Sequence, residues 1–237
     1  MYDEVFLPDV YGELRSTSME WERMQLIYDA ALREVNTKLE TLNNEFKIKH
    51  QYNPIEHMTS RIKSPESIAK KMQHNSRELT VENIVRYIND VAGIRVICSY
   101  IDDIYLIADA LLRQDDITLI AKKDYIEHPK ENGYRSLHLI VEVPVFLTNH
   151  KKPMKVEVQI RTIAMDFWAS LEHQMKYKQE IPDSEEIINE LRDCAAVIRE
   201  TDERMLAIRR RIEAAADVPT EEEMLFDKLA RFDIPIQ

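Results

Sequence analysis

Glycine is nearly absent: Gly12, Gly93 and Gly133 are the three in a chain of 237 residues. Glycine-rich phosphate loops and dinucleotide fingerprints need several glycines close together, so neither is present. Cysteine is as scarce. Cys98 and Cys194 stand far apart, match no zinc spacing, and read as two reduced, buried thiols. No Ser, Cys or His arrangement resembles a nucleophile beside its base. Long apolar runs are missing too. Nothing approaches the ~18 residues that mark a membrane span. Met1 to Val10 carries Asp3, Glu4 and Asp9 without a basic residue, unlike a secretory signal. No membrane partner is expected, and the cytoplasm is. Basic charge is in deficit, with 32 Lys and Arg against 43 Asp and Glu and a formal net charge of -11. A general binder of nucleic acid is usually basic, so DNA is not an expected partner. Regulation by RNA stays open. Small polyanions remain accessible, because a local basic cluster outweighs the total charge at close range.

What is present falls into three parts. Residues 1–52 form an N-terminal helical extension, 53–180 a catalytic domain, and 181–237 a C-terminal helical extension and tail. In the first, Thr17 and Glu20 have capping-box spacing, and a helix runs from there to His50. Trp21, Met24, Tyr28, Ala31, Val35, Leu39, Leu42 and Phe46 recur in steps of three or four and form one stripe. Asn53-Pro54 ends it. The middle part mixes strands and helices. Val91 to Ile101 reads as a buried strand, Asp102 to Arg113 as a helix, and Ile117 to Ala121 as a short strand. Leu137 to Val145 and Met154 to Arg161 alternate like strands, and a helix follows from Ala164 to about Lys178. In the third part Ser184 is placed to cap a helix with Glu185 and Glu186 in its first turn. Ile187, Leu191, Cys194, Ile198, Met205, Ile208 and Ile212 form its stripe, and Pro219 ends it. A short helix is expected in the tail from Glu221. Two long single-stripe helices point to subunit contacts, although each stripe could equally pack on its own domain.

Four segments carry chemistry. In Met154-Lys-Val-Glu-Val-Gln-Ile-Arg161, strand geometry sends Lys155, Glu157, Gln159 and Arg161 to one face and the apolar residues to the other. A solvated outer face would look the same. A carboxylate, an amide and a guanidinium in a row can also hold a metal, a sugar hydroxyl and a phosphate. In Asp90-Val-Ala-Gly-Ile-Arg95, Asp90 opens an apolar strand and Gly93 removes a side chain where something can approach. Asp90 fits a turn or cap. With Glu157 it also fits Mg²⁺, which takes one or two carboxylates plus substrate phosphate oxygens. In Asn132-Gly-Tyr-Arg-Ser-Leu-His138, a tight turn precedes Tyr134, whose ring is either a packed strand edge or a base-stacking platform. His138 is either a core histidine or a phosphate contact. Finally, Arg61, Lys63, Lys70, Lys71 and Arg77 make a basic stretch. Ser64-Pro65-Glu66 reads as a helix start inside it, so the stretch is either a solvated face or a triphosphate seat.

Ser60-Arg-Ile-Lys63, Asp90-Val-Ala-Gly-Ile-Arg95, Asn132-Gly-Tyr-Arg-Ser-Leu-His138 and Val156-Glu-Val-Gln-Ile-Arg-Thr162 together resemble the synthetase domain of the RelA/SpoT family of (p)ppGpp synthetases. Met165-Asp-Phe-Trp-Ala-Ser-Leu-Glu-His173 is similar to its small, single-domain members. The resemblance implies an α/β (α+β mixed) fold, a mixed β-sheet flanked by helices in the nucleotidyltransferase-like style. It implies a GTP diphosphokinase of the stringent response that moves the pyrophosphate of ATP to the 3′-hydroxyl of GTP or GDP, without hydrolase activity. By motif, Arg61 and Arg95 would sandwich adenine, and Lys63, Ser67 and Lys71 would hold the ATP phosphates. Asp90 and Glu157 would bind Mg²⁺, with Glu157 also acting on the 3′-hydroxyl. Tyr134 would stack on guanine, and Lys123, Lys130 and His138 would meet the acceptor's phosphates. Gln159, Arg161, Asp166 and Glu172 would complete the acceptor side. Some relatives have Asn at the position of Asp166 and others Arg at the position of Lys123, where a lysine loses the bidentate fork. A homotetramer held by the terminal helices is implied as well. Rival readings are a silent nucleotide-binding module, a nucleotidyltransferase that attacks the α-phosphorus, and a helical assembly protein.

Overall fold

The computed structural model describes residues 8–50, 52–178 and 185–215. In chain order the elements are α1 (Pro8–His50), β1 (Ile55–Ile62), α2 (Pro65–His74), α3 (Val81–Tyr87), β2 (Ala92–Cys98), α4 (Ile101–Leu112), β3 (Thr118–Asp124), β4 (Leu137–Phe146), β5 (Lys151–Thr162), α5 (Ile163–Lys178) and α6 (Glu185–Ala215). The strands form one sheet in the order β1-β2-β5-β4-β3. β2 and β5 pair in parallel, and the other neighbours are antiparallel. This is the expected mixed sheet flanked by helices.

Parity along the central strands divides the sheet into two faces. Ala92, Ile94 and Val96 of β2, Met154, Val156, Val158 and Ile160 of β5, and Leu137, Leu139, Val141 and Val143 of β4 are all buried in one cluster. Met24, Tyr28, Ala31, Val35 and Leu39 of α1 and Ile104, Ile107 and Leu111 of α4 cover them. The stripe on α1 therefore seals its own sheet, and the subunit contact expected of it is not where those side chains go. Truncating Leu39 to Ala would cost roughly 2–5 kcal/mol. The opposite face presents Gly93, Arg95, Glu157, Gln159, Arg161 and His138.

Several boundaries differ from the sequence expectation. α1 begins at Pro8, so Thr17 and Glu20 lie inside it. Proline suits a first helical turn. β2 stops at Cys98 because the Tyr100 N–H is taken by the Asp103 carboxylate at 3.1 Å, which opens α4 at Ile101. β3 extends to Asp124. β1 and α3 had no signal. β1 is an edge strand with mostly exposed residues and no apolar alternation, and α3 is two turns long. Cys98 is buried as expected, whereas Cys194 is exposed on α6. Ser184 and the tail beyond Pro219 lie outside the described residues.

Candidate active site

Most of the residues singled out from the sequence sit on the polar face of the sheet. Parallel pairing sets Gly93 beside Glu157 and Arg95 beside Gln159. On the other side of β5, Gln159 pairs with His138. Asp90 lies just before β2. The Lys63 N–H donates to Val91 O at 2.8 Å, which ties the end of β1 to this point. Ser64 caps α2, its hydroxyl accepting the Ser67 N–H at 3.3 Å, with Pro65 in the first turn. That cap aims the start of α2 and its lysines at the sheet edge.

Asp90 and Glu157 line one cavity of about 260 Å³, together with Thr59, Arg61, Gly93, Arg95 and Gln159. Lys63 Nζ donates to one Asp90 oxygen at 2.7 Å and Lys71 Nζ to the other at 2.8 Å. Burial would raise the Asp90 carboxyl, but these two bonds outweigh it and hold it below its ordinary value. Burial would likewise raise Glu157. Its contacts with His138 Nδ1 at 3.3 Å and Gln159 Nε2 at 2.9 Å outweigh that and hold it low. Both carboxylates are ionised at neutral pH. Among the described residues no three His, Cys, Asp or Glu side chains group so as to hold a metal ion. Two hard oxygen donors facing shared space suit Mg²⁺, which fills its remaining positions with water and phosphate oxygens, and do not suit zinc.

A second cavity of about 1030 Å³ adjoins the first along Arg61, Arg95 and Gln159. Lys130, Asn132, Tyr134, His138, Arg161 and Glu172 are on its walls. Tyr134 is half-buried. Its hydroxyl accepts from Arg161 Nη2 at 2.8 Å and meets His138 Nε2 at 2.9 Å. The Lys130 ammonium lies 4.7 Å from its ring centre and the Arg161 guanidinium 5.3 Å. The turn before it is closed by the Gly133 N–H on Lys130 O at 2.8 Å and the Tyr134 N–H on Asn132 Oδ1 at 3.2 Å. Gly133 has φ +87, the left-handed region that favours glycine.

Asp90, Glu157, Arg61, Arg95, Lys130, Tyr134, His138, Gln159, Arg161 and Glu172 all line these two cavities. Lys63 and Lys71 reach them through Asp90. Ser67 is exposed in the first turn of α2, and its hydroxyl accepts from Ser64 at 3.0 Å. Lys123 pairs with His138 across β3 and β4 and is exposed, off the cavity walls. Asp166 is not among the residues lining these two cavities either. It bridges Arg161 at 3.1 Å and Arg95 at 3.4 Å, so it organises two arginines.

Sequence reasoning passed over several contributors. Tyr125 packs edge-on to Tyr134 and His138, with ring centres 5.9 and 5.2 Å away. Asn132 Nδ2 donates to Glu172 at 3.1 Å. Arg135 is buried beneath the turn with Nε and Nη1 unpartnered. Tyr125 and Arg135 carry no local signal. Asn132 was visible as a turn residue, not as the link to α5.

Residues 60–182 match the family described as the region found in RelA / SpoT proteins. GTP pyrophosphokinase YwaC of Bacillus subtilis (strain 168) is 43% identical over 201 residues, covering 85% of this chain and 96% of that protein. The crystal structure of small alarmone synthetase 2 from Bacillus subtilis is similar at 44% identity and a TM-score of 0.73, over 81% of this chain and 98% of that one. Small alarmone synthetase 1 from the same species, bound to its product pppGpp, matches at 34% identity and a TM-score of 0.74, over 81% and 97%.

Proposed function

The chain belongs to the RelA/SpoT family, and from that premise we propose that it synthesises (p)ppGpp, moving the β,γ-pyrophosphate of ATP to the 3′-hydroxyl of GDP or GTP. The observation that carries this reading is the pair of ionised carboxylates, Asp90 and Glu157, on one cavity that opens into a larger, cation-lined one. The acceptor's 3′-oxygen forms a bond to the β-phosphorus of ATP. The bond from the β-phosphorus to the α,β-bridging oxygen breaks, and AMP leaves carrying that bridging oxygen. Glu157 orients the 3′-hydroxyl and takes its proton. Asp90 and Glu157 would hold Mg²⁺, which supplies charge neutralisation for the polyphosphate.

The remaining demand is positioning against repulsion. Two unit charges ~4 Å apart interact by about 4 kcal/mol at an effective dielectric near 20. Lys63 and Lys71, freed from Asp90, reach the ATP phosphates with Ser67, while Arg61 and Arg95 flank adenine. Tyr134 stacks on guanine. Lys130, His138 and Lys123 meet the acceptor's phosphates. Gln159, Arg161 and Glu172 shape the acceptor wall, and Asp166 holds its arginines. Their clustering explains how a chain of net charge -11 accepts two polyanions.

The same reading places the enzyme in the cytoplasm as a homotetramer. Among the described residues no helix is long and apolar enough to cross a membrane. Ile163, Phe167, Leu171 and Met175 make an exposed apolar stripe on α5, and Met205, Ile208 and Ile212 one on α6. These faces, with α1 spent on the core, are the surfaces for assembly. Light scattering that found a monomer would refute the tetramer.

The reaction is tested by thin-layer chromatography with ATP labelled at the γ-phosphate and GDP or GTP as acceptor. Label in ppGpp or pppGpp, with stoichiometric AMP, is the expected result. Label in free pyrophosphate would mean attack at the α-phosphorus, and no turnover would mean a silent binding module. Either outcome overturns the proposal.

A further inference from the structure

α6 lies beyond the matched residues 60–182 and supplies none of the groups assigned above. Its contacts nevertheless fall on the segments that build the acceptor wall. Arg192 Nε donates to Glu131 O at 2.7 Å, and the Trp168 indole N–H of α5 donates to Leu191 O at 3.1 Å. A Cβ on Gly133 would stand 2.5 Å from Ala195 Cβ, so the helix presses on the turn before Tyr134.

The polar contact of most consequence is deeper. Thr162 Oγ1 donates to Asp202 Oδ2 at 2.7 Å, with Thr162 fully buried and Asp202 9% exposed. The same oxygen accepts the Met165 N–H at 3.1 Å and so caps the first turn of α5. A hydroxyl has one proton and rotates to suit its partners. Asp202 accepts the hydrogen bond from that hydroxyl, which leaves a lone pair aimed at the Met165 N–H. That turn carries Asp166, which holds Arg161 and Arg95. Arg161 in turn holds the Tyr134 hydroxyl. An unbroken series of bonds thus runs from the interior of α6 to the aromatic platform of the large cavity.

We propose that Asp202 is a positioning residue for the acceptor nucleotide: through the Thr162 cap it fixes the start of α5, and through Asp166 and Arg161 it fixes the wall beside Tyr134. This rests on the acceptor assignment made above. A purely structural tie would weaken both nucleotides alike. Positioning through this route weakens the guanosine nucleotide far more than ATP, which it reaches only through the longer Asp166–Arg95 contact at 3.4 Å.

The test uses the full chain with Asp202→Ala, Asp202→Asn and Thr162→Val. Asp202→Ala and Thr162→Val should each raise the KM for GDP about tenfold, the scale of one lost buried hydrogen bond, and the KM for ATP by much less. Asp202→Asn keeps an oxygen acceptor for Thr162 and should restore the wild-type value. The double variant Asp202→Ala/Thr162→Val should be no worse than the poorer single one, because both cut the same link. Thr162→Val keeps the side chain's shape and carries the test should Asp202→Ala fail to fold. Equilibrium dialysis with GDP should give the same order without turnover, so an inactive wild type would sink the reaction and leave this measurement standing. Equal loss of ATP and GDP binding, unchanged GDP binding in Asp202→Ala, or failure of Asp202→Asn to restore it would overturn the proposal.

Discussion

Glu157 stands directly across from Gly93 in the parallel pairing of β5 with β2. A Cβ on Gly93 would meet nothing within 4 Å, and the glycine lines the cavity shared by Asp90 and Glu157. The fold does not need a glycine here, since its φ is not in the left-handed region. The space does. Gly93→Val puts a strand-favouring side chain into that space. Its melting temperature should match wild type while synthesis falls about a hundredfold, the scale of a misplaced substrate. Near-normal synthesis by this variant would show that no reacting group passes over Gly93.

Glu157→Gln keeps shape and hydrogen-bonding capacity and removes the charge. Loss of a positioned base costs roughly 10²–10⁴-fold, and product should fall on that scale with the circular dichroism spectrum unchanged. Retained synthesis would remove Glu157 from the chemistry.

Tyr134 serves two ends, a ring beside the cavity and a hydroxyl held by Arg161 and His138. Tyr134→Leu should raise the KM for GDP and GTP through loss of the ring, and Tyr134→Phe should raise it less. If Tyr134→Leu changes only the ATP dependence, the two nucleotide sites are exchanged.

Gly133→Ala meets two obstacles at once, a φ of +87 and Ala195 Cβ at 2.5 Å. It should destabilise by more than about 1 kcal/mol and weaken GDP binding. Adding Ala195→Gly should recover part of the melting temperature, since it relieves the clash and leaves the backbone strain. No recovery would mean that α6 does not press on this turn in solution.

Asp202 supplies a pH signature. Burial raises its carboxyl above the ordinary 3.8, outweighing its bond to Thr162 and the pull of Arg135, with Glu203 adding to the rise. A raised folded-state value gives stability that is present at low pH and is lost as pH rises through it. Wild type should therefore lose melting temperature relative to Asp202→Asn as pH rises above the ordinary carboxylate value. A difference that stays flat, or grows the other way, would contradict that burial.

Much of the site was legible in the chain itself, because its signals are local. Alternation from Met154 to Arg161 assigns Glu157, Gln159 and Arg161 to one face by parity alone, and the structure puts all three on cavity walls. Ser64-Pro65 marks a helix start in any context, and α2 begins there. Other features had no local signal. Tyr125 and Arg135 look ordinary, and β1 lacks the alternation that identifies a strand, since an edge strand buries little.

The amino-acid sequence by itself determined which residues alternate, which turns are tight and which helices carry a stripe, for these depend on steric and hydrogen-bonding preferences within a few residues. Tertiary structure alone decided what each surface meets. It paired β2 with β5 so that Gly93 faces Glu157, spent the α1 stripe on the sheet, and brought Asp202 of α6 to Thr162, 40 positions away. Strand partners and helix docking are chosen by competition for burial across the whole chain, and no local window contains that competition.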